Sequence, residues 1–213
     1  MTMTNNVIKA LEWRYATKIF DTSKKLSDDQ VHTLLDAMRL SASSFGLQPW
    51  KFILIKNPQV REELFKNAFG QIHVRDASHL IVIASKIDLD ENDVSAYVKQ
   101  MSDERGVPVE MLQGYKDMMV GFVKSKSKED LQSWMQKQTY IAMGTLLTTA
   151  AMMDIDACPM EGFDRVAFDK ILGLTELGFA SQTICPIGYR SSEDQTASYK
   201  KIRMPFEQAV IEI

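Results

Sequence analysis

The chain has 213 residues, 45% of them hydrophobic, and 25 basic against 28 acidic side chains give a net charge of −3. That composition supplies one sizeable core, or two small ones at most, and excludes a disordered chain. The near-balance of charge argues against a broad nucleic-acid footprint or a polybasic membrane surface, so any cationic site must be local. The polar start, Met1 to Asn6, carries no apolar run of the secretory kind, and no stretch reaches the length of a bilayer span. Cys158 and Cys185 sit singly in apolar surroundings and read as reduced core thiols, from which a cytoplasmic setting is expected.

In chain order, Val7, Ile8, Ala10, Leu11 and Trp13 have the spacing of a short amphipathic helix that runs out near Arg14. Arg14 and Lys18 then stand four residues apart, and Asp21-Thr22-Ser23 reads as a turn. Ser27 with Gln30 forms a capping-box pattern ahead of Val31, Leu34, Leu35 and Met38. The stretch from Ser41 to Trp50 suits a loop: Gly46 tolerates angles a side chain forbids, Pro49 cannot donate to a ladder, and three serines offer hydroxyls. Trp50 to Ile55 reads as a buried strand, and Asn57-Pro58 launches a helix with Val60, Leu64, Phe65 and Ala68 on one face. His79 to Ser85 has too little alternation to face water on either side and reads as a central strand.

The middle third is helical, with segments from Asp90 to Arg105 and from Val109 to Val123 broken by Gly106-Val107-Pro108. A second capping-box pattern, Ser127 with Asp130, opens what should be the longest helix, Leu131 to Met153. Its second half is apolar nearly all round, which predicts cover on every side and a partner subunit as the second cover. Ile155 to Pro159 reads as a strand, Glu161 to Asp164 as a turn, Arg165 to Leu172 as a helix and Phe179 to Gly188 as a strand. Phe206 to Ile213 reads as an extended tail able to add to a sheet edge. Mixed strands and helices in this order predict an α+β or α/β fold.

Several motif searches fail. No glycine-rich dinucleotide or P-loop fingerprint is present. Asp88 to Asn92 resembles the front of a calcium loop, but Asp93 stands where glycine is needed. Ser125 with Lys128 and Ser198 with Lys201 match Ser-x-x-Lys by chance, and His32, His73 and His79 lack metal-ligand spacing. What remains are two cation pairs, Arg14 with Lys18 and Lys201 with Arg203, in an otherwise acidic chain. A phosphate monoester would satisfy both pairs; solvated surface charge is the alternative.

Five segments occur together in order: Arg14-Tyr-Ala-Thr-Lys18, the Ser43-Ser44 loop running to Gln48-Pro49-Trp50, Asp76-Ala-Ser-His79, Pro159-Met-Glu161-Gly162-Phe163-Asp164, and Lys201-Ile-Arg203-Met-Pro205. In this the chain resembles, from end to end, the oxygen-insensitive NAD(P)H nitroreductases. The resemblance implies a homodimeric α+β fold: a three-layer sandwich with a central, mostly antiparallel sheet and a long central helix. It would be a single domain with a peripheral helical excursion near 90–125 and an extended tail at 206–213. The resemblance also implies FMN bound at the dimer interface, reduced by NADH or NADPH and reoxidised in ping-pong fashion by a nitroaromatic or quinone acceptor. Arg14, Lys18, Lys201 and Arg203 would hold its phosphate and ribityl region. Ser43, Ser44, Gln71, Pro159, Glu161 and Gly162 would contact the ribityl chain and the ring, and Tyr15, Ala16 and Phe45 fall among the family's cofactor-contact positions. No side chain is expected to act as nucleophile or base, and no metal is expected, because the flavin carries the chemistry.

The pattern also departs from the family. Tyr15 and Ala16 stand where a His-Ser pair is usual, which removes one hydroxyl contact. Phe45 replaces a small polar residue and would narrow the substrate pocket, the segment from Gly70 to Asp76 is shorter than in some relatives, and no aromatic gate stands out near Val120 or Phe122. Dihydropteridine reduction, enone reduction and dehalogenation on the same fold remain alternatives, as does a non-enzymatic dimer that binds a phosphorylated small molecule.

Overall fold

Four β segments form one antiparallel sheet in the order β1-β2-β4-β3: β1 Trp50–Ile55, β2 His79–Lys86, β3 Asp156–Ala157 and β4 Phe179–Gly188. The computed structural model describes residues 3–213, with side chains from Asn6 onward; Met1 and Thr2, the beginning of the polar start, lie outside the described residues. Nine helices occur among these residues: α1 Met3–Trp13, α2 Asp28–Arg39, α3 Pro58–Lys66, α4 His73–Asp76, α5 Glu91–Arg105, α6 Gln113–Lys124, α7 Lys128–Met152, α8 Arg165–Leu172 and α9 Phe206–Ala209.

The two faces of the sheet follow from the period-2 alternation of strand side chains. On one face Ile81, Ile83, Cys185 and Ile187 pack with Val31, Leu34 and Met38 of α2 and with Met143, Leu146 and Ala150 of α7. On the other face Leu80, Val82 and Ile184 pack with Leu64 of α3, Val74 of α4 and Phe168 of α8. Helices therefore cover both faces, which makes three layers of α+β type. A third cluster joins α5, α6 and the first turns of α7 through Val94, Val98, Met119, Val123, Leu131 and Met135. These helices share a small core of their own.

Most start signals work as their chemistry requires. Ser27 and Gln30 close a reciprocal capping box, and Asn57 accepts from the amides of Gln59 and Val60 ahead of Pro58. Ser127 caps α7 through the Asp130 amide, but the Asp130 carboxylate takes the Ser127 hydroxyl at 2.9 Å, so this box is half formed. Asp90, read as the front of a failed calcium loop, is the N-cap of α5 and shares a capping box with Asp93. Two expectations need correction. The strand expected over Ile155 to Pro159 shrinks to Asp156–Ala157 with a further bridge from Met160 to Ile184, because Pro159 has no N–H to pair. The tail expected to be extended forms a helical turn at Phe206–Ala209 after Pro205, and only residues beyond it are extended; none pairs with the chain's own sheet.

The loop between α2 and β1 contains a 3-10 turn, Ser44–Gly46. Its backbone turns left-handed, at a steric cost at Phe45 (φ 57°) and at none at Gly46 (φ 78°). Ser43 Oγ accepts from the Gln48 amide at 2.9 Å, and the Ser44 amide donates to Gln138 Oε1 of α7 at 2.9 Å. The Phe45 ring packs 5.0 Å from Phe122 and 6.5 Å from Tyr115, whose hydroxyl donates to the Phe45 carbonyl. These contacts tie the serine loop to α6 and α7.

Two buried carboxylates fasten the ends of the chain. Asp194 accepts from the Tyr15 hydroxyl at 3.0 Å, the Lys18 amide at 2.8 Å, the Ile19 amide at 3.1 Å and the Thr196 hydroxyl. Burial alone would raise this carboxyl, but the hydrogen bonds outweigh it and hold it down from 3.8 to about 2. Asp156 accepts from Thr17 and is paired with Arg190, whose guanidinium lies 4.0 Å over the Trp13 ring and 4.6 Å over the Tyr15 ring.

A carboxyl with a depressed folded-state pKa stabilises fully above its unfolded value, and the benefit disappears as pH falls through the folded one. Asp194 should therefore contribute about 2 kcal/mol at neutral pH, lost between about pH 4 and pH 2. Chemical denaturation of Asp194→Asn should show that loss at pH 7 and a flatter acid limb; unchanged stability at pH 7 would contradict the clamp. Gly46→Ala should cost about 1–2 kcal/mol, since the backbone is left-handed there and a Cβ would overlap the Tyr97 hydroxyl. Adding Tyr97→Phe should return part of that loss, and purely additive melting temperatures would show that no overlap exists.

Candidate functional site

The segment after α1 alternates. Tyr15 and Thr17 turn to the buried carboxylates Asp194 and Asp156, while Ala16 joins the apolar cluster beneath the sheet and Lys18 Nζ lies 3.9 Å from Cys158 Sγ. Ala16 also bridges to Ala157, so the segment lies beside β3. The hydroxyl and amide bonds to Asp194 fix the backbone that carries Arg14 and Lys18. Burial, followed by the bond to Asp194, pushes the Tyr15 phenol up to about 12.

The chain's far end meets this segment. The Lys201 ammonium donates to the Leu11 and Arg14 carbonyls, and a cavity of about 390 Å³ is lined by Arg14, Tyr15, Ala16, Lys201 and Arg203 among others. Glu12 is the one acidic residue among its lining. Burial and then the neighbouring Arg203 lower the Arg14 pKa, and burial followed by Arg14 and Arg203 lowers that of Lys201. Among the described residues none of Arg14, Lys18, Lys201 or Arg203 forms a salt bridge with a carboxylate. The cluster therefore has unused positive charge, the donor set of an anion site.

A second cavity, of about 520 Å³, lies between α7 and the turn that follows β3. Tyr140, Met143, Gly144 and Leu147 form one wall, Pro159, Met160 and Glu161 the other, and Thr183 of β4 completes the lining. Gln71 donates to the Gly162 carbonyl and to Ala68, which fixes the turn against the end of α3. The Tyr140 phenol lies beside Glu161; burial first, and then the neighbouring carboxylate, raise its pKa. The two cavities neighbour one another: Ala16 lines the first and is bridged to Ala157, which in extended chain is about 7 Å from Pro159 in the second.

The structure thus brings Arg14, Tyr15, Ala16, Lys201 and Arg203 together, with Lys18 adjoining Cys158, and places Pro159 and Glu161 on the second cavity; Gly162 follows Glu161 in the chain and Gln71 is bonded to its carbonyl, but neither lines that cavity. Ser43, Ser44 and Phe45 line neither cavity of their own chain. Tyr140, Thr183, Asp156, Asp194 and Arg190 were missed in the sequence. Asp194 lies in an ordinary polar run, Ser191 to Asp194, and Tyr140 and Thr183 within apolar elements, so no local pattern singles them out.

The outer side of α7 is bare. Tyr140, Ile141, Gly144 and Met152 are exposed, Ile141 at 45%, and Ile8 and Leu11 of the adjacent α1 are exposed as well. Cover on every side, expected from the helix's composition, is not provided within one chain, because the sheet reaches only one face.

A family model described as the nitroreductase family matches residues 11–189. A Staphylococcus saprophyticus protein provisionally named as an NAD(P)H nitroreductase is 35% identical over 202 residues, covering 90% of this chain and 91% of that one. Among solved structures, one provisionally named nitroreductase from Bacillus subtilis superposes with a TM-score of 0.88 at 18% identity, over 99% of this chain and 100% of the other. Another, from Exiguobacterium sibiricum and crystallised in complex with FMN, gives 0.82 at 19% identity over 100% and 98%. The architecture, the order of the motifs and the extent of these matches lead to one conclusion: the chain belongs to the nitroreductase family.

Proposed function

We propose that the protein is an FMN-dependent NAD(P)H oxidoreductase that works as a homodimer and reduces a small-molecule acceptor of the nitroaromatic or quinone type. The observation that carries this reading is the convergence of Arg14, Lys201 and Arg203 on one cavity without carboxylate partners. A phosphate monoester suits such a site, and a cavity with largely apolar walls beside it suits a flat ring. The names of curated relatives and the FMN complex of the Exiguobacterium neighbour support the cofactor and the hydride donor.

In this reading Arg14, Lys18, Lys201 and Arg203 hold the phosphate and ribityl end. Lys201 has a second task, since its ammonium also fixes the Leu11 and Arg14 carbonyls and thereby the position of the Arg14 side chain. Pro159, Glu161 and Gly162 face the ring, with Gln71 keeping their turn in place. When bound, FMN accepts a hydride from NAD(P)H and delivers reducing equivalents to the acceptor, so the protein's part is to bind, orient and exclude water. Backbone amides near Gly162 offer dipoles toward the ring edge, where negative charge develops on reduction.

The exposed apolar face of α7 and α1 supplies the surface for a second copy. Because Ser43, Ser44 and Phe45 line neither cavity of their own protomer, their contact with the cofactor is assigned across that interface. Phe45 there would limit the size of the acceptor. Two buried thiols and the balance of charge accord with a cytoplasmic setting, and no helix among the described residues is long and apolar enough to cross a membrane.

Lys201→Ala should weaken FMN binding roughly ten- to a hundredfold, the loss of one charge-assisted contact. Titration of the apoprotein by flavin fluorescence measures this, and an unchanged affinity would remove the phosphate assignment. Gly144→Leu should leave the fold intact, as no atom lies within 4 Å of a Cβ at that position in the single chain, yet block close approach of a second helix. Light scattering should then report monomer or aggregate; a normal dimer would place the interface elsewhere.

A further inference from the structure

The cavity between α7 and the Pro159–Glu161 turn has three polar side chains in its lining. Two of them, Tyr140 and Glu161, are neighbours whose charges interact, with Arg165 beside Tyr140 as well. The third is Thr183. Its side chain is 2% exposed, and its hydroxyl has no hydrogen-bond partner among the described residues.

The position of Thr183 is set by an irregularity in the sheet. Ile83 stands opposite Thr183 and Ala84 opposite Ser181, so Gln182 is squeezed out of the ladder between β2 and β4. Bulges of this kind re-aim side chains, and they concentrate beside sites. Thr183 lies two and four residues before Cys185 and Ile187, on the face of β4 that packs toward α7. The strand side chains on this face, Ile81, Ile83, Cys185 and Ile187, are apolar or a thiol. Valine has the same shape and would fill the space without burying an unpaired hydroxyl, which is unfavourable wherever no partner arrives. The open volume bordering Thr183 is the cavity, and Gly144 keeps that volume clear on the helix side.

We propose that Thr183 is a cofactor-facing residue whose hydroxyl hydrogen-bonds a ring carbonyl or ring nitrogen on the edge of a planar heterocycle seated in this cavity. The inference rests on the FMN reading above and goes beyond it by assigning a polar contact to a β4 side chain, one that the five sequence motifs do not include. Walls of Met143, Leu147, Pro159 and Met160 take the faces of such a ring, and Thr183 selects its edge.

The test compares Thr183→Val and Thr183→Ser with the wild-type apoprotein, using FMN and riboflavin as probes and fluorescence quenching as the readout. Thr183→Val should melt at or above the wild-type temperature without ligand, since an unpaired hydroxyl is removed. It should weaken binding of both flavins by a similar factor, roughly three- to tenfold, because the contact is to the ring and not to the phosphate. Thr183→Ser should return affinity to near the wild-type value. Wild-type affinity in a folded Thr183→Val variant overturns the inference and leaves the FMN reading standing. Should Thr183→Val fail to fold, Thr183→Ala takes its place: weakened affinity for both flavins supports the inference, and wild-type affinity overturns it. A wild-type protein that binds neither flavin overturns the functional reading and this inference together.

Discussion

The site depends on two carboxylates placed where a carboxylate is expensive to bury. Asp156 and Asp194 are 3% and 4% exposed, and each is stabilised by donors from the segment just after α1 as well as from its own neighbourhood. A buried charge is tolerated only when its lone pairs are taken up, so the Tyr15 hydroxyl, the Thr17 hydroxyl and the Lys18 and Ile19 amides have little freedom to move. The consequence is positional. Residues 179 apart in the chain, Tyr15 and Asp194, become neighbours, and the cations beside them, Arg14 on one side and Lys201 with Arg203 on the other, meet around one cavity.

This arrangement also accounts for the departure at Tyr15. The resemblance implies that a smaller polar pair is usual at Tyr15 and Ala16, and on that ground a cofactor contact is lost. The Tyr15 hydroxyl instead serves the scaffold by donating to Asp194, while its ring lies under the Arg190 guanidinium together with Trp13. Phe45 has likewise a packing role that can be named, since its ring joins Tyr115 and Phe122 and ties the serine loop to α6. Like-charge crowding of Arg14, Lys201 and Arg203 disfavours the cluster on its own, as their mutual effect on pKa indicates for Arg14 and Lys201. An anion relieves that repulsion.

Much of the fold was legible because its signals are local. The capping box at Ser27 and Gln30, the Asn57-Pro58 start and the apolar runs Phe52 to Ile55 in β1 and Leu80 to Ala84 in β2 are decided by neighbouring residues, and each formed where its pattern lies. The failures occur where tertiary context decides. Ile155 to Pro159 has strand composition, yet one proline and a turn reduce its ladder to two residues. The tail's β-formers yield to Pro205, which suits the start of a helical turn. The cation pairs were visible as residues, but their meeting was not, because nothing near Lys201 in sequence indicates that its ammonium reaches the Leu11 and Arg14 carbonyls. Asp194 and Thr183 are the same kind of case: one is identified by the donors it collects and the other by the partner it lacks.

In the proposed reading, side chains from opposite ends of the chain form one phosphate site. Parallel titrations of the wild-type apoprotein with FMN and with riboflavin, at fixed low salt, test it most directly because the two ligands differ only in the phosphate. Two or more charge-assisted contacts predict FMN binding tighter by roughly a hundredfold or more, with the gap narrowing as salt is added. Equal affinities, insensitive to salt, would contradict the account.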